Sequence, residues 1–177
     1  DGRVIGEGLH TKYGEAHAEI EALKNSTEDV GGATIYVNLE PCNHQGKTGP
    51  CTKEIIKSGF KRVVIGALDP NRKVSGDGAK VLEEAGIEVT FGVLEKESKI
   101  LNEIFFGFHK KGRPFIALKF ASSLDGKIAT RTGDSRGITG SKAIEYSYNL
   151  RRKYQSILIG SNTAVQDNPN LGTHSEH

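Results

Sequence analysis

Apolar residues recur along this chain in two rhythms, and the rhythms alternate. Short runs rich in β-branched and aromatic residues, at 34–39, 62–67 and 87–91, predict strands. Arg3 to Leu9 has the same character. Between the runs, apolar positions fall three or four apart, as on one face of a helix. Ala16 to Lys24 carries Ile20 and Leu23 at that spacing. Thr52 to Ser58 is closed by Gly59, and Gly78 to Ala85 by Gly86, each glycine standing where a helix C-terminus favours one. The run 62–67 (Arg-Val-Val-Ile-Gly-Ala) is almost wholly apolar and predicts a buried strand. Helices alternating with short strands predict an α/β layered fold with a largely parallel sheet. A longer helix is predicted from Glu95 to about Lys110, with Ile100, Leu101, Ile104, Phe105 and Phe108 as one apolar stripe.

Lys110-Lys111-Gly112-Arg113-Pro114 interrupts that stripe. A charged Gly/Pro junction before a fresh apolar run predicts a domain boundary, dividing the chain into 1–111 and 112–177. The second part predicts a strand at 115–120, a turn at Asp125-Gly126, a Gly-rich loop from Gly133 to Gly140 and a helix from Ser141 to about Tyr154. A strand at 156–159 then runs into Gly160-Ser161-Asn162-Thr163. There are no internal repeats and no low-complexity segments.

Composition narrows the class. The chain has 177 residues, 36% hydrophobic and 26% charged, with a net charge of +2. That balance gives no bulk electrostatic case for nucleic acid or for a membrane surface. No apolar run approaches the roughly 20 residues of a membrane span. Two cysteines are too few for a disulfide scaffold and suit a reducing cytoplasm. The chain opens at Asp1-Gly2, which reads as the tip of a β-hairpin, and stops at 171–177 with no closing element. Both ends therefore predict a fragment of a longer protein.

The candidate chemistry is split between two stretches. Gly14-Glu15-Ala16-His17-Ala18-Glu19 supplies a histidine and a nearby carboxylate. Pro41-Cys42-Asn43-His44-Gln45-Gly46-Lys47-Thr48-Gly49-Pro50-Cys51 supplies two thiols. His17, Cys42 and Cys51 are three zinc ligands that leave a fourth position open, as a catalytic zinc requires. His-x-Glu followed by Pro-Cys and a second Cys is the signature of zinc nucleobase deaminases. In such a site zinc makes hydroxide available near pH 7, and Glu19 carries the proton to the ring nitrogen and then to departing ammonia. Eight residues separate the cysteines, where many deaminases have two. Gly46, Lys47 and Thr48 among them suit a phosphate clasp, which points to a small phosphorylated substrate; the alternative is a solvated loop.

These motifs, with Asp69-Pro70-Asn71 and Ala85-Gly86-Ile87-x-Val89, resemble the deaminase domain of the bifunctional riboflavin-biosynthesis deaminase/reductase family (RibD/RibG). Arg113-Pro114-Phe115, Leu118-Lys119-x-Ala121-x-Ser123-Leu124-Asp125-Gly126-Lys127, Ile138-Thr139-Gly140, Leu150-Arg151 and Ile157-Leu158-Ile159-Gly160 resemble the start of its reductase domain. The resemblance implies a cytidine-deaminase-like α/β/α sandwich followed by the first part of a dihydrofolate-reductase-like α/β domain. It implies hydrolytic deamination of 2,5-diamino-6-(5-phosphoribosylamino)pyrimidin-4-one to 5-amino-6-(5-phosphoribosylamino)uracil with Zn2+. Reduction of the ribosyl chain with NADPH would follow. A cytoplasmic homo-oligomer is expected, with a small phosphorylated pyrimidine as substrate and neither nucleic acid nor membrane as partner.

By the same resemblance His44, Lys47, Lys119, Ser135, Asn168 and Leu171 are similar to substrate-binding residues, and Thr139 and Asp167 to cofactor-binding ones. Read from the residues alone, Lys119 could equally snorkel from an apolar strand and Asp167-Asn168-Pro169 could equally be a turn. The chain departs from the family pattern at Gly137, where a Trp is usual, at Arg72, where a Pro is usual, and at Gly172 and His174, which replace parts of a Leu-Thr-x-Arg motif. Two rival functions remain. A nucleoside or tRNA deaminase predicts Cys-x-x-Cys and, for tRNA, a basic face. A non-catalytic zinc module predicts a fourth protein ligand, for which His44 is the candidate.

Overall fold

The computed structural model describes residues 2–71 and 76–173 and divides into two compact units, Asp1–Phe115 and Ile116–His177. Asp1 of the expected hairpin tip, Arg72 and His174 lie outside the described residues.

The first unit is built on a parallel sheet of β1 (Thr34–Leu39), β2 (Arg62–Ala67) and β3 (Glu88–Phe91), in the order β1-β2-β3. Thr34 pairs with Arg62 and Leu39 with Ala67; Arg62 pairs in turn with Glu88 and Ile65 with Phe91. Beyond Arg62 every residue of β2 is buried, so this central strand is covered on both faces. Successive side chains alternate between those faces. Val63 and Ile65 join the core with Ile35, Ile55, Phe60, Ala79, Leu82 and Ile87. Gly66 takes the other face and lies against Ser98, where an added Cβ would come within 2.9 Å of the Ser98 Cβ. Helix α4 (Glu95–Leu101) packs on β1 and β2 there, while α2 (Cys51–Lys57) and α3 (Asp77–Glu84) contribute Ile55, Ala79 and Leu82 to the core. Helix α1 (Ala18–Lys24) contacts α2 and sends Leu23 against the core. The result is the expected α/β/α layering.

Three expectations are corrected. Residues 3–9, 115–120 and 156–159 carry the strand pattern but form no ladder among the described residues. A strand needs a hydrogen-bonded partner, and an apolar run does not by itself supply one. The long helix divides into α4 and α5 (Glu103–Lys111) at Asn102, whose side-chain amide donates to the Ser98 carbonyl at 3.0 Å. Such a side chain competes with the continuing backbone ladder. In the second unit α6 (Ser141–Arg151) forms as expected, three residues shorter than predicted, and an unforeseen helix α7 spans Ser161–Asp167.

Leu82 is fully buried between the helices and the sheet. Leu82→Ala is expected to lower unfolding free energy by about 2–5 kcal/mol, measured by urea denaturation followed by far-UV circular dichroism. An unchanged urea midpoint would contradict this packing.

Candidate metal centre and the cleft beside it

Three chain segments end at the same place. His17 is the N-cap of α1, in extended conformation. Cys51 is the first residue of α2, behind Pro50 as N-cap. Cys42 stands three residues past Leu39, the end of β1. His17 Nδ1 lies 3.4 Å from the Cys42 sulfur and 3.3 Å from the Cys51 sulfur, and all three donor atoms lie within 4.8 Å of one another. The Cys51 backbone N–H, a donor left over at the start of α2, points at the Cys42 sulfur at 3.4 Å.

The two thiols are both buried. The Cys42 thiol is pushed down to about 5, chiefly because the Cys51 thiol donates to it, and the Cys51 thiol is pushed up by the same contact. One imidazole and two thiols form a borderline-soft donor set that fits zinc, with the fourth tetrahedral position left to a non-protein ligand. Among the described residues the cluster holds only these three donors. His44 is not among them, so the closed structural site loses its candidate ligand.

Glu19 lies in the first turn of α1, two residues beyond His17, with its carboxyl against the Cys51 thiol. It is partly buried, and the loss of solvent raises its pKa above the ordinary carboxylate value, with the Cys42 charge adding to the effect. A carboxyl that holds a proton more readily is suited to carrying one.

Beside the cluster opens a cleft of about 200 Å³, lined by His10, Tyr13, His17, Cys42, His44 and Lys47, among others. The structure thus brings His44 and Lys47 to the metal donors. The Lys47 ammonium rests over the Tyr13 ring, 4.2 Å from its centroid. His10 meets His17 edge to face at 5.2 Å, and its Nδ1 lies 3.0 Å from the Ala16 carbonyl oxygen. His10 and Tyr13 escaped the sequence reading. Their signal was proximity in the chain: both lie within seven residues of His17.

Glu40 also escaped it. This side chain is 3% exposed, and its carboxylate accepts four backbone N–H bonds. One oxygen takes Asp69 N at 3.1 Å and Gly76 N at 3.0 Å; the other takes Gly78 N at 3.0 Å and Ala79 N at 3.2 Å. Gly76, the N-cap of α3, offers no side-chain cap, so Glu40 satisfies the helix's leading donors from another segment.

The remaining candidate residues lie in the second unit. Lys119 is exposed on the 115–120 run, and Ser135 and Thr139 lie on the Gly-rich loop. Gly137 has φ 71, a left-handed conformation that glycine adopts freely and a Trp does not. Asp167 ends α7 and Asn168 caps it with φ 39, so the helix terminates where a turn was read. Leu171 belongs to a segment held by Arg151, whose Nη1 donates to the Asn170 carbonyl at 3.0 Å and the Gly172 carbonyl at 2.8 Å.

Comparison with known proteins follows this division. Residues 1–67 match the cytidine and deoxycytidylate deaminase zinc-binding region, and residues 114–177 match the RibD C-terminal domain. The riboflavin biosynthesis protein RibD of Aquifex aeolicus is 49% identical over 171 residues, covering 97% of this chain and 48% of that protein. The Escherichia coli RibD is 43% identical over 171 residues, with 97% and 47% covered. A crystal structure from Thermotoga maritima, of a diaminohydroxyphosphoribosylaminopyrimidine deaminase/5-amino-6-(5-phosphoribosylamino)uracil reductase, superposes with a TM-score of 0.90 at 50% identity, over 96% of this chain and 49% of that one. Acinetobacter baumannii RibD gives 0.91 at 42% identity, over 100% and 50%. The chain spans about half the length of the curated relatives it matches. Over the segment it shares with them, with both family regions in the same order, the chain is similar to the RibD riboflavin biosynthesis proteins.

Proposed function

We propose that this chain carries the zinc deaminase site, and the opening part of the NADPH-dependent reductase, of a riboflavin-biosynthesis enzyme. The observation that carries the reading is a three-donor cluster with an open position, faced by Glu19 and flanked by a cleft containing Lys47. Residues 1–111 would form the deaminase domain and 112–177 the start of the reductase domain. The substrate class is a small nucleotide-like molecule, and the specific one proposed is 2,5-diamino-6-(5-phosphoribosylamino)pyrimidin-4-one.

His17, Cys42 and Cys51 would hold the zinc. Bound there, zinc supplies a Lewis acid that makes hydroxide available at neutral pH. Glu19 accepts the proton that water gives up and passes it to the ring nitrogen, then takes the second proton from the hydroxyl newly bonded to the ring carbon and delivers it to the exocyclic amine as the bond from the ring carbon to that amine breaks and ammonia leaves. His44 and Lys47 orient the substrate, with the Lys47 ammonium leaving the Tyr13 ring to meet the phosphate. Lys119, Ser135, Asn168 and Leu171 would bind the reductase substrate, and Thr139 and Asp167 the NADPH. A cytoplasmic homo-oligomer completes the proposal. Two free thiols suit a reducing compartment, and the exposed Ile100, Leu101 and Phe108 offer apolar surface for a second copy. No helix among the described residues is long and apolar enough to cross a membrane.

Three outcomes test this reading. Purified protein is expected to hold one zinc per chain by elemental analysis, and Cys51→Ser to lose it; parent protein without zinc would sink the site assignment. Glu19→Gln is expected to keep the metal while ammonia release from the diaminopyrimidine ribosyl phosphate falls by about 10²–10⁴-fold. Turnover near that of the parent would remove Glu19 from the proton-carrying role. Lys47→Ala is expected chiefly to raise KM for the phosphorylated substrate and to leave the dephosphorylated one unaffected. Equal effects on both would return the loop to a solvated role.

A further inference from the structure

We propose that Glu40 is a positioning residue for the metal centre: its four backbone hydrogen bonds set where the Cys42 sulfur stands. The inference rests on the zinc reading above and adds a residue to it. Only an ionised carboxylate offers four acceptor sites and no donor, and here all four sites are taken by N–H groups. Those groups come from the loop after β2 and from the first turn of α3, 29 to 39 residues further along the chain. Glu40 also continues the β1–β2 ladder through its own N–H, which donates to the Ala67 carbonyl at 2.9 Å. Residue 40 is therefore fixed by both backbone and side chain.

Only Pro41 separates that fixed point from Cys42. Pro41 is fully buried, and its ring locks φ, so the link is stiff. Gly78 presses on the Pro41 carbonyl so closely that a Cβ there would collide with it. On the far side, the Cys42 carbonyl accepts Thr52 N at 3.2 Å. The Cys42 sulfur accepts Cys51 N at 3.4 Å. The thiol is thus held between the α3 side, through Glu40, and the α2 side, through Thr52 and Cys51. Losing the first hold leaves Cys42 tied to the α2 side alone, through Thr52 and Cys51, and free to shift relative to His17.

Glu40→Gln keeps the shape but turns an amide NH2 toward one pair of N–H donors. Glu40→Asp keeps the charge on a stem one methylene shorter, which cannot reach all four donors at once. The test measures zinc affinity of the parent chain and both variants by competition with a chromophoric chelator. It also records the thiolate charge-transfer and d–d absorption of the Co(II)-loaded forms, and thermal unfolding. In folded Glu40→Gln, zinc affinity is expected to fall about 10–100-fold, the range for partners that orient metal ligands, with altered Co(II) bands and an intermediate loss in Glu40→Asp. Folded variants with a lowered Tm but parental zinc affinity and parental Co(II) bands would overturn the proposal. So would failure of both variants to fold, which would make Glu40 a strut of the fold alone. A folded parent that takes up neither zinc nor Co(II) would instead overturn the zinc reading, and this inference with it.

Discussion

Two sulfurs and an imidazole nitrogen can serve one metal only if three separate backbones are held to a common geometry, and this requirement organises the first unit. Each donor stands where a secondary element begins or has just ended: His17 before α1, Cys51 opening α2, Cys42 just past β1. Parallel pairing makes the meeting possible. β1 and β2 run the same way, so their C-terminal ends share one edge of the sheet. Ligand sites in open α/β sheets gather at that edge. The two-sided burial of β2 is what keeps the edge in place. The same geometry gives Cys51 a backbone N–H to spare for the Cys42 sulfur, because the first amides of a helix have no partner within it.

Much of this was legible because its causes are local. β1 and β2 fall at the residues their β-branched runs predict, and α1 to α3 begin and end within two residues of expectation. The clustering of His17, Cys42 and Cys51 was legible too, since His-x-Glu and the Pro-Cys stretch are short motifs with a chemical reason for each residue. Glu40 was not. It stands next to Pro41-Cys42 in the chain, yet its partners are main-chain amides between 29 and 39 residues away, and no side chain in the sequence announces them. A buried acid held only by backbone has no signature in residue types. Asn102 was missed for a related reason. It sits within a good helical stripe, yet the helix divides there, with the Asn102 side-chain amide bonded back to the Ser98 carbonyl.

The second unit shows where pattern reading stops. Its apolar runs have strand character, but Leu118 is 86% exposed and Leu158 98%. Alternation identifies residues suited to a covered sheet face; it does not say which segment covers them, and the curated relatives are about twice as long as this chain. What does hold together here is short-range. The Arg151 guanidinium ties Asn170 and Gly172, and a turn closes through the Gly126 N–H on the Ser123 carbonyl at 3.0 Å. The Gly137 backbone gives a physical reason for its residue type: at φ 71 a Trp would be strained.

Glu19 touches the Cys51 thiol and Glu40 stands two residues before Cys42, and their surroundings separate the tasks they suit. Every acceptor site of Glu40 is occupied by an amide that belongs to the fold. A proton arriving there would displace one of those bonds, so Glu40 cannot shuttle protons without loosening the loop it holds. The Glu19 carboxyl meets its own backbone N–H and the Cys51 thiol. Desolvation dominates its environment and favours the protonated form, while its place beside the Cys51 thiol keeps it at the donor cluster. One carboxylate is spent on holding geometry and the other left free to exchange a proton. That difference, together with the motif, suits Glu19 and not Glu40 to the proposed acid–base role.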